Sequence, residues 1–180
     1  MPDPVFASMY RETVGTMMRS ALIYTLAGVI CAAGWAKNSS FEGKWELEKN
    51  QSTATSPIPD ALQEQIRQKD SDMVIESRWH EPANGITPLL MLGVMVSELR
   101  LNTDGSQTRS QIGPFAAATT TRQDGDSSVK TDWQATVNGQ SVTGHWVRTL
   151  SSDGKNMTLD IEQQSSDGKT GTAKLVFRRK

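Results

Sequence analysis

Ser128-Val129-Lys130-Thr131-Asp132-Trp133-Gln134-Ala135-Thr136-Val137-Asn138-Gly139-Gln140-Ser141-Val142-Thr143-Gly144-His145-Trp146 is the stretch that decides the fold. Val129, Thr131, Trp133, Ala135 and Val137 recur at every second position, and Ser128, Lys130, Asp132, Gln134 and Thr136 fall between them. A period of two assigns each set to its own face of a β-strand. Asn138-Gly139 follows at once, and this pair tolerates the two positive φ angles of a type I′ turn. The return strand sets Val142, Gly144, Trp146 and Leu150 against Ser141, Thr143, His145 and Thr149. The segment reads as a β-hairpin.

The same pattern extends in both directions. Asp153-Gly154 ends the return strand, and the next strand carries Met157, Leu159 and Ile161 on its apolar face. Asp167-Gly168 turns the chain into a strand with Ala173, Leu175 and Phe177 on one side and Thr172, Lys174 and Val176 on the other. Asp104-Gly105 and Asp124-Gly125 mark further turns upstream. Successive hairpins form an up-and-down meander, and a long meander hides its edges by closing on itself. The predicted fold is therefore all-β, an antiparallel up-and-down barrel. Apart from the turn dipeptides the strands are dissimilar, so the regular spacing reflects meander geometry rather than an internal repeat.

The middle of the chain reads less directly. Met73 to Trp79 is predicted as a strand, with Leu62 to Gln68 as its hairpin partner; a helix over Ala61–Lys69, capped by Asp60 and Gln63, is the competing reading. Glu81 to Gly93 holds Pro82, Asn84-Gly85 and Pro88 and then becomes apolar at Leu89-Leu90-Met91-Leu92. It reads as a long connection with a hydrophobic tip.

At 180 residues the chain suits one barrel domain, over residues 37–180, behind an N-terminal segment, residues 1–36. The net charge of -1 supplies no basic excess for nucleic acid or anionic lipid. Cys31 is the only cysteine, so neither an intrachain disulfide nor a Cys-rich metal site can form. Residues 20–36 carry no charge, Arg19 precedes them, and small residues gather before the best cleavage position at Gly34-Trp35-Ala36. This is the pattern of a signal peptide, with an uncleaved membrane anchor as the alternative. Met17 or Met18 gives a more compact leader than Met1. Export to the periplasm or beyond is expected, with membrane contact confined to this segment.

Phe41-Glu42-Gly43-Lys44-Trp45-Glu46-Leu47 resembles the Gly-x-Trp signature that opens the first strand of lipocalins and their calycin relatives. The C-terminal half, from Thr131-Asp132-Trp133 to Leu175-Val176-Phe177-Arg178, is similar to the lipocalin-like domains of exported bacterial proteins. The resemblance implies that Gly43 and Trp45 build the closed end of the barrel. It implies too that Arg178 or Arg179 lies over the Trp45 ring as a structural cation–π partner.

Candidate chemistry is sparse. His145 has the parity opposite to Trp146 and so faces solvent if Trp146 faces inward. His80 beside Glu81 reads as a solvated pair at a strand end. Serines and aspartates fall mostly in turns, where their side chains satisfy backbone groups. Neither a phosphate-cradling glycine loop nor a zinc-spaced cluster is present, and no positioned axial histidine exists for haem. Without a convergent acid, base and nucleophile, no enzyme activity and no cofactor are expected.

The barrel interior remains. Trp79, Trp133, Trp146, Leu159 and Phe177 read as wall residues, and Leu90, Met91 and Met95 as adaptable residues at the mouth. Gly144, Ala135 and Ala173 are expected to leave room inside. The leading expectation is a binding protein for a small hydrophobic or amphipathic ligand. The alternative is a barrel-type inhibitor or protein-interaction module, docking through exposed loops such as Leu89 to Leu92.

Overall fold

The computed structural model describes residues 40–80 and 94–180. The N-terminal leader or anchor, its boundary at residue 36, and the connection Glu81 to Gly93 with Leu90 and Met91 lie outside the described residues.

Eleven strands follow one another: β1 (Gly43–Leu47), β2 (Thr53–Ala54), β3 (Ala61–Lys69), β4 (Asp72–His80), β5 (Glu98–Asn102), β6 (Asp104–Ile112), β7 (Phe115–Gln123), β8 (Ser128–Val137), β9 (Gln140–Leu150), β10 (Asn156–Ser165) and β11 (Thr170–Arg179). A single 3-10 turn at Lys49–Gln51 is the only helical element among the described residues. The sheet runs β5-β4-β3-β1-β11-β10-β9-β8-β7-β6, with β2 paired to β11, and the paired strands are antiparallel. β5 and β6 end the path yet adjoin in sequence through Thr103. The Ser110 hydroxyl donates to the Arg100 carbonyl at 2.8 Å, and the Gln123 amide donates to the Thr103 carbonyl at 3.3 Å. The result is a nearly closed antiparallel barrel, a form compatible with a lipocalin-like fold.

Residues 61–69 are a strand, paired with β4 from Ala61↔His80 to Lys69↔Asp72. The alternation of Leu62, Glu64 and Ile66 inward prevails over the helix-capping signal. Asn138 and Gly139 both take positive φ, 51° and 81°, as a type I′ turn requires. Asp104-Gly105 behaves otherwise than expected. Thr103 makes the turn, whereas Asp104 and Gly105 open β6 beside a register shift between Asp104 and Gln107. A glycine at φ +87° fits an extra residue in a ladder as well as it fits a turn.

Connectivity sorts the links between strands into two ends. At one end lie the turns at 70–71, 103, 124–127 and 151–155 together with the start of β1. At the other lie the turns at 113–114, 138–139 and 166–169 and the exit from β4. The first end is closed. Trp45 and Phe41 are buried, and the Trp45 indole N–H donates to the Phe41 carbonyl at 2.8 Å. Arg179, not Arg178, covers the ring, with its guanidinium carbon 4.4 Å from the centroid. The register explains the choice: Trp45 pairs directly with Arg179, and cross-strand partners share a face. Arg178 points outward and bonds Glu48 at 2.9 Å. Gly43 belongs to the same arrangement, since a Cβ there would stand 3.1 Å from Arg179 Nη1 and φ is +141°.

Above this floor the core is dense. Ile66, Met73, Ile75, Leu99, Met157, Leu175 and Phe177 are buried, each such side chain contributing roughly 1.5–3 kcal/mol through loss of apolar surface to water. An eight-stranded barrel is just wide enough for ordinary side chains to fill. The longer circuit here has more interior to occupy, and large residues occupy it.

Candidate functional site

The half of the barrel toward the β4 exit mixes large and short inward side chains, with Leu62, Ile112 and Val142 buried there. Ala117 and Thr119 on β7, Ala135 on β8, Ser110 on β6 and Ser77 on β4 all have inward parity and are buried. Space at Gly144 is taken by Trp133, contrary to the expectation that this glycine leaves the interior open. The two residues are cross-strand partners, and a Cβ on Gly144 would lie 2.3 Å from Trp133 Cε2 and Nε1. The indole lies against the bare backbone, and the Trp146 ring packs beside it with centroids 5.4 Å apart at 41°.

Half-buried apolar side chains form a rim at this end among the described residues. Trp79 is the last residue but one of β4, Phe115 opens β7, Val137 closes β8, and Met95 lies three residues before β5; all four pack against the core while keeping partial exposure. Val94 and Val96 on either side of Met95 are fully buried. The residues leading out of the connection 81–93 are therefore anchored on the barrel.

Below the rim, a belt of polar groups crosses the interior. Arg148 on β9 reaches Glu64 on β3, Nη2 to Oε1 3.2 Å, with the residues 2% and 1% exposed. Ser77 is the cross-strand partner of Glu64, and Thr131 that of Trp146. Thr131 exchanges a 3.0 Å hydrogen bond with Thr121, as Ser110 does with Thr119. Five buried atoms in this belt make no hydrogen bond: Glu64 Oε2, Ser77 Oγ, Trp133 Nε1, Trp146 Nε1 and Arg148 Nε. Each such atom costs about 1–3 kcal/mol when desolvated without a partner.

The residues singled out from sequence are thus distributed. Trp133 and Trp146 belong to the belt, Trp79 and Met95 to the rim, and Leu159 is buried in the wall next to Arg148, its cross-strand neighbour. Glu64, Ser77, Arg148, Phe115 and Ala117 were not anticipated as site residues. A signal for the charged pair exists, since Glu64 shares parity with Leu62 and Ile66, and Arg148 with Trp146 and Leu150. A charge at an inward position requires a buried partner.

His145 faces outward, as its parity predicts. Its Nδ1 lies 2.6 Å from Asp132 Oδ1, and Arg122 Nη1 donates to Asp132 Oδ2 at 3.2 Å. Glu162 is the next residue in the same cross-strand row. The row lies in an open outer groove of about 590 Å³ with Gln134 and Thr143. Asp132 can hold the His145 ring in one orientation, but the groove is walled mainly by polar side chains such as Gln107, Gln134 and Glu162 and is open to solvent. Among the described residues no three His, Cys, Asp or Glu side chains gather as a metal site. His80 is exposed at the end of β4, while its neighbour Glu81 lies outside the described residues.

Comparison of the chain with protein-family models, with curated proteins and with solved structures found no match.

Proposed function

We propose that this barrel binds a small amphipathic molecule at the end opposite Trp45, apolar body against the rim, and performs no chemistry on it. The observation that carries this reading is the asymmetry of the two ends. One is sealed by Trp45, Phe41 and Arg179; the other presents Trp79, Met95, Phe115 and Val137 half-buried above an interior in which Ala117, Ala135, Ser110 and Thr119 stand among the larger Leu62, Ile112 and Val142. Partly exposed apolar side chains converging from four segments mark a binding surface rather than a finished core. The uncharged run behind Arg19 supports delivery across a membrane and, with it, a ligand drawn from the periplasm or the medium.

Native mass spectrometry of protein purified from its own host tests the reading. A retained small-molecule adduct is expected, reduced in Phe115→Ser and Met95→Ser variants whose unfolding midpoints stay close to that of the parent. A bare protein mass in every preparation, with no uptake of an uncharged fluorescent alkyl-chain probe, refutes it.

A further inference from the structure

The buried belt specifies what the polar end of such a ligand must be. Building on the binding reading above, we infer that the belt recognises an uncharged, acceptor-rich head group, a carboxamide or a comparable carbonyl head, carried on an apolar chain.

The inference comes from the inventory of free valences. Trp133 Nε1, Trp146 Nε1 and Arg148 Nε are N–H donors, Ser77 Oγ can donate or accept, and Glu64 Oε2 accepts only. All five side chains are more than nine-tenths buried. The two indoles are neighbours, Arg148 lies two residues from Trp146 on the same strand face, and Ser77 adjoins Glu64 across the β3–β4 pair. A complementary head therefore offers carbonyl lone pairs to the N–H groups and an N–H or O–H to the carboxylate. A carboxamide has both on one carbon.

Charge excludes the obvious alternatives. Arg148 and Glu64 neutralise each other at 3.2 Å, so a carboxylate or ammonium head would bring an unbalanced charge into a low-dielectric interior. A carboxylate would also face Glu64 Oε2 directly. An alkyl chain without a head would leave every one of these atoms unpaired. The rim lies on the side of the belt away from Trp45, so a head bonded at the belt directs its chain toward Phe115, Val137 and Met95.

The test compares decanamide, decanoate and decylammonium on the full-length protein, by titration and by ¹⁵N-¹H spectra of the tryptophan indoles. Decanamide is expected to bind at least tenfold more tightly than either charged analogue. It should move the Trp133 and Trp146 Nε1–H cross-peaks downfield while leaving Trp45, already bonded to the Phe41 carbonyl, unmoved. Trp146→Phe should weaken decanamide at least fivefold and decanoate hardly at all; if that variant fails to fold, the wild-type cross-peaks decide. Equal affinity for the three heads, or decanamide bound with both cross-peaks unmoved, overturns the head-group inference while the binding reading stands. Binding of none of the three, with unmoved cross-peaks throughout, overturns both and leaves the belt to water.

Discussion

Arg148 on β9 spans the barrel to Glu64 on β3, and among the described residues they are the two buried charged side chains. Taking two charges out of water costs several kcal/mol per ion, which the pair recovers only by staying together. Arg148→Met should therefore cost about 3–5 kcal/mol by stranding the Glu64 carboxylate. Glu64→Leu combined with Arg148→Met should recover most of that loss. Urea unfolding of the two single variants and the double variant checks this, and additive losses in the double variant would contradict a coupled pair.

Gly144 gives Trp133 its place. A methyl group there would overlap the indole at 2.3 Å, and a side chain of that size shifts only by repacking its neighbours. Gly144→Ala should destabilise by about 1–3 kcal/mol, the range for overpacked cores, and should alter tryptophan emission. An unchanged midpoint with unchanged emission would mean that Trp133 does not lie on this glycine.

The two C-terminal arginines should separate cleanly. Arg179 covers Trp45 and donates to the carbonyls of Ser40, Glu42 and Gly154 at 2.6–2.8 Å, whereas Arg178 makes one exposed ion pair with Glu48. Arg179→Ala is expected to lower stability by about 2 kcal/mol, from charge-assisted hydrogen bonds and the cation–π contact. Arg178→Ala should change it by about 0–1 kcal/mol. Trp45→Ala should exceed both, at about 3–5 kcal/mol. Thermal melts rank the three, and a larger loss for Arg178 than for Arg179 would reverse the assignment.

The pentapeptide Ser-Ser-Asp-Gly-Lys occurs twice, at 151–155 and 165–169, and turns the chain at opposite ends of the barrel, with the glycine amide donating to the first serine's carbonyl each time. In each turn the aspartate accepts from the serine hydroxyl and from the lysine amide. Hydrogen bonding to Ser151 lowers the Asp153 pKa. At Asp167 the Lys169 ammonium acts first and Ser165 second, and the carboxylate is held well below the ordinary range. A pKa lower in the folded chain than in the unfolded one stabilises the fold above the unfolded value, near 3.9, and the gain is lost as pH falls through the folded values. Asp153→Asn with Asp167→Asn should lower the melting temperature at pH 7 and leave it closer to the parent's at pH 2. Parallel melting curves against pH, with a constant offset, would show that these carboxylates do not titrate with folding.

Much of the wall was legible because its signal is local. A strand's inward set follows from parity alone, so Val129 to Val137, Met157 to Ile161 and Ala173 to Phe177 read correctly without any knowledge of their neighbours. Asn138-Gly139 carries its own turn geometry. Asp104-Gly105 misled because a positive-φ glycine serves a bulge and a turn equally, and the choice between them rests on the register of β6 against β7.

The site divides along the same line. Trp133 and Trp146 announce themselves as inward aromatics, and Arg148 breaks the apolar parity of β9 visibly in the sequence. That its partner is Glu64, distant in the chain, is invisible there, since the meeting depends on β3 and β9 facing each other across the barrel. The sequence by itself determined the all-β class, the inward faces and the paired turns, because these arise from the alternation of successive residues and from local φ preferences. Only the tertiary structure decided which arginine covers Trp45, that Trp133 fills the space at Gly144, and that a neutralised charge pair crosses the interior. Each of those depends on register and closure, which place residues from separate strands within a few ångströms of one another.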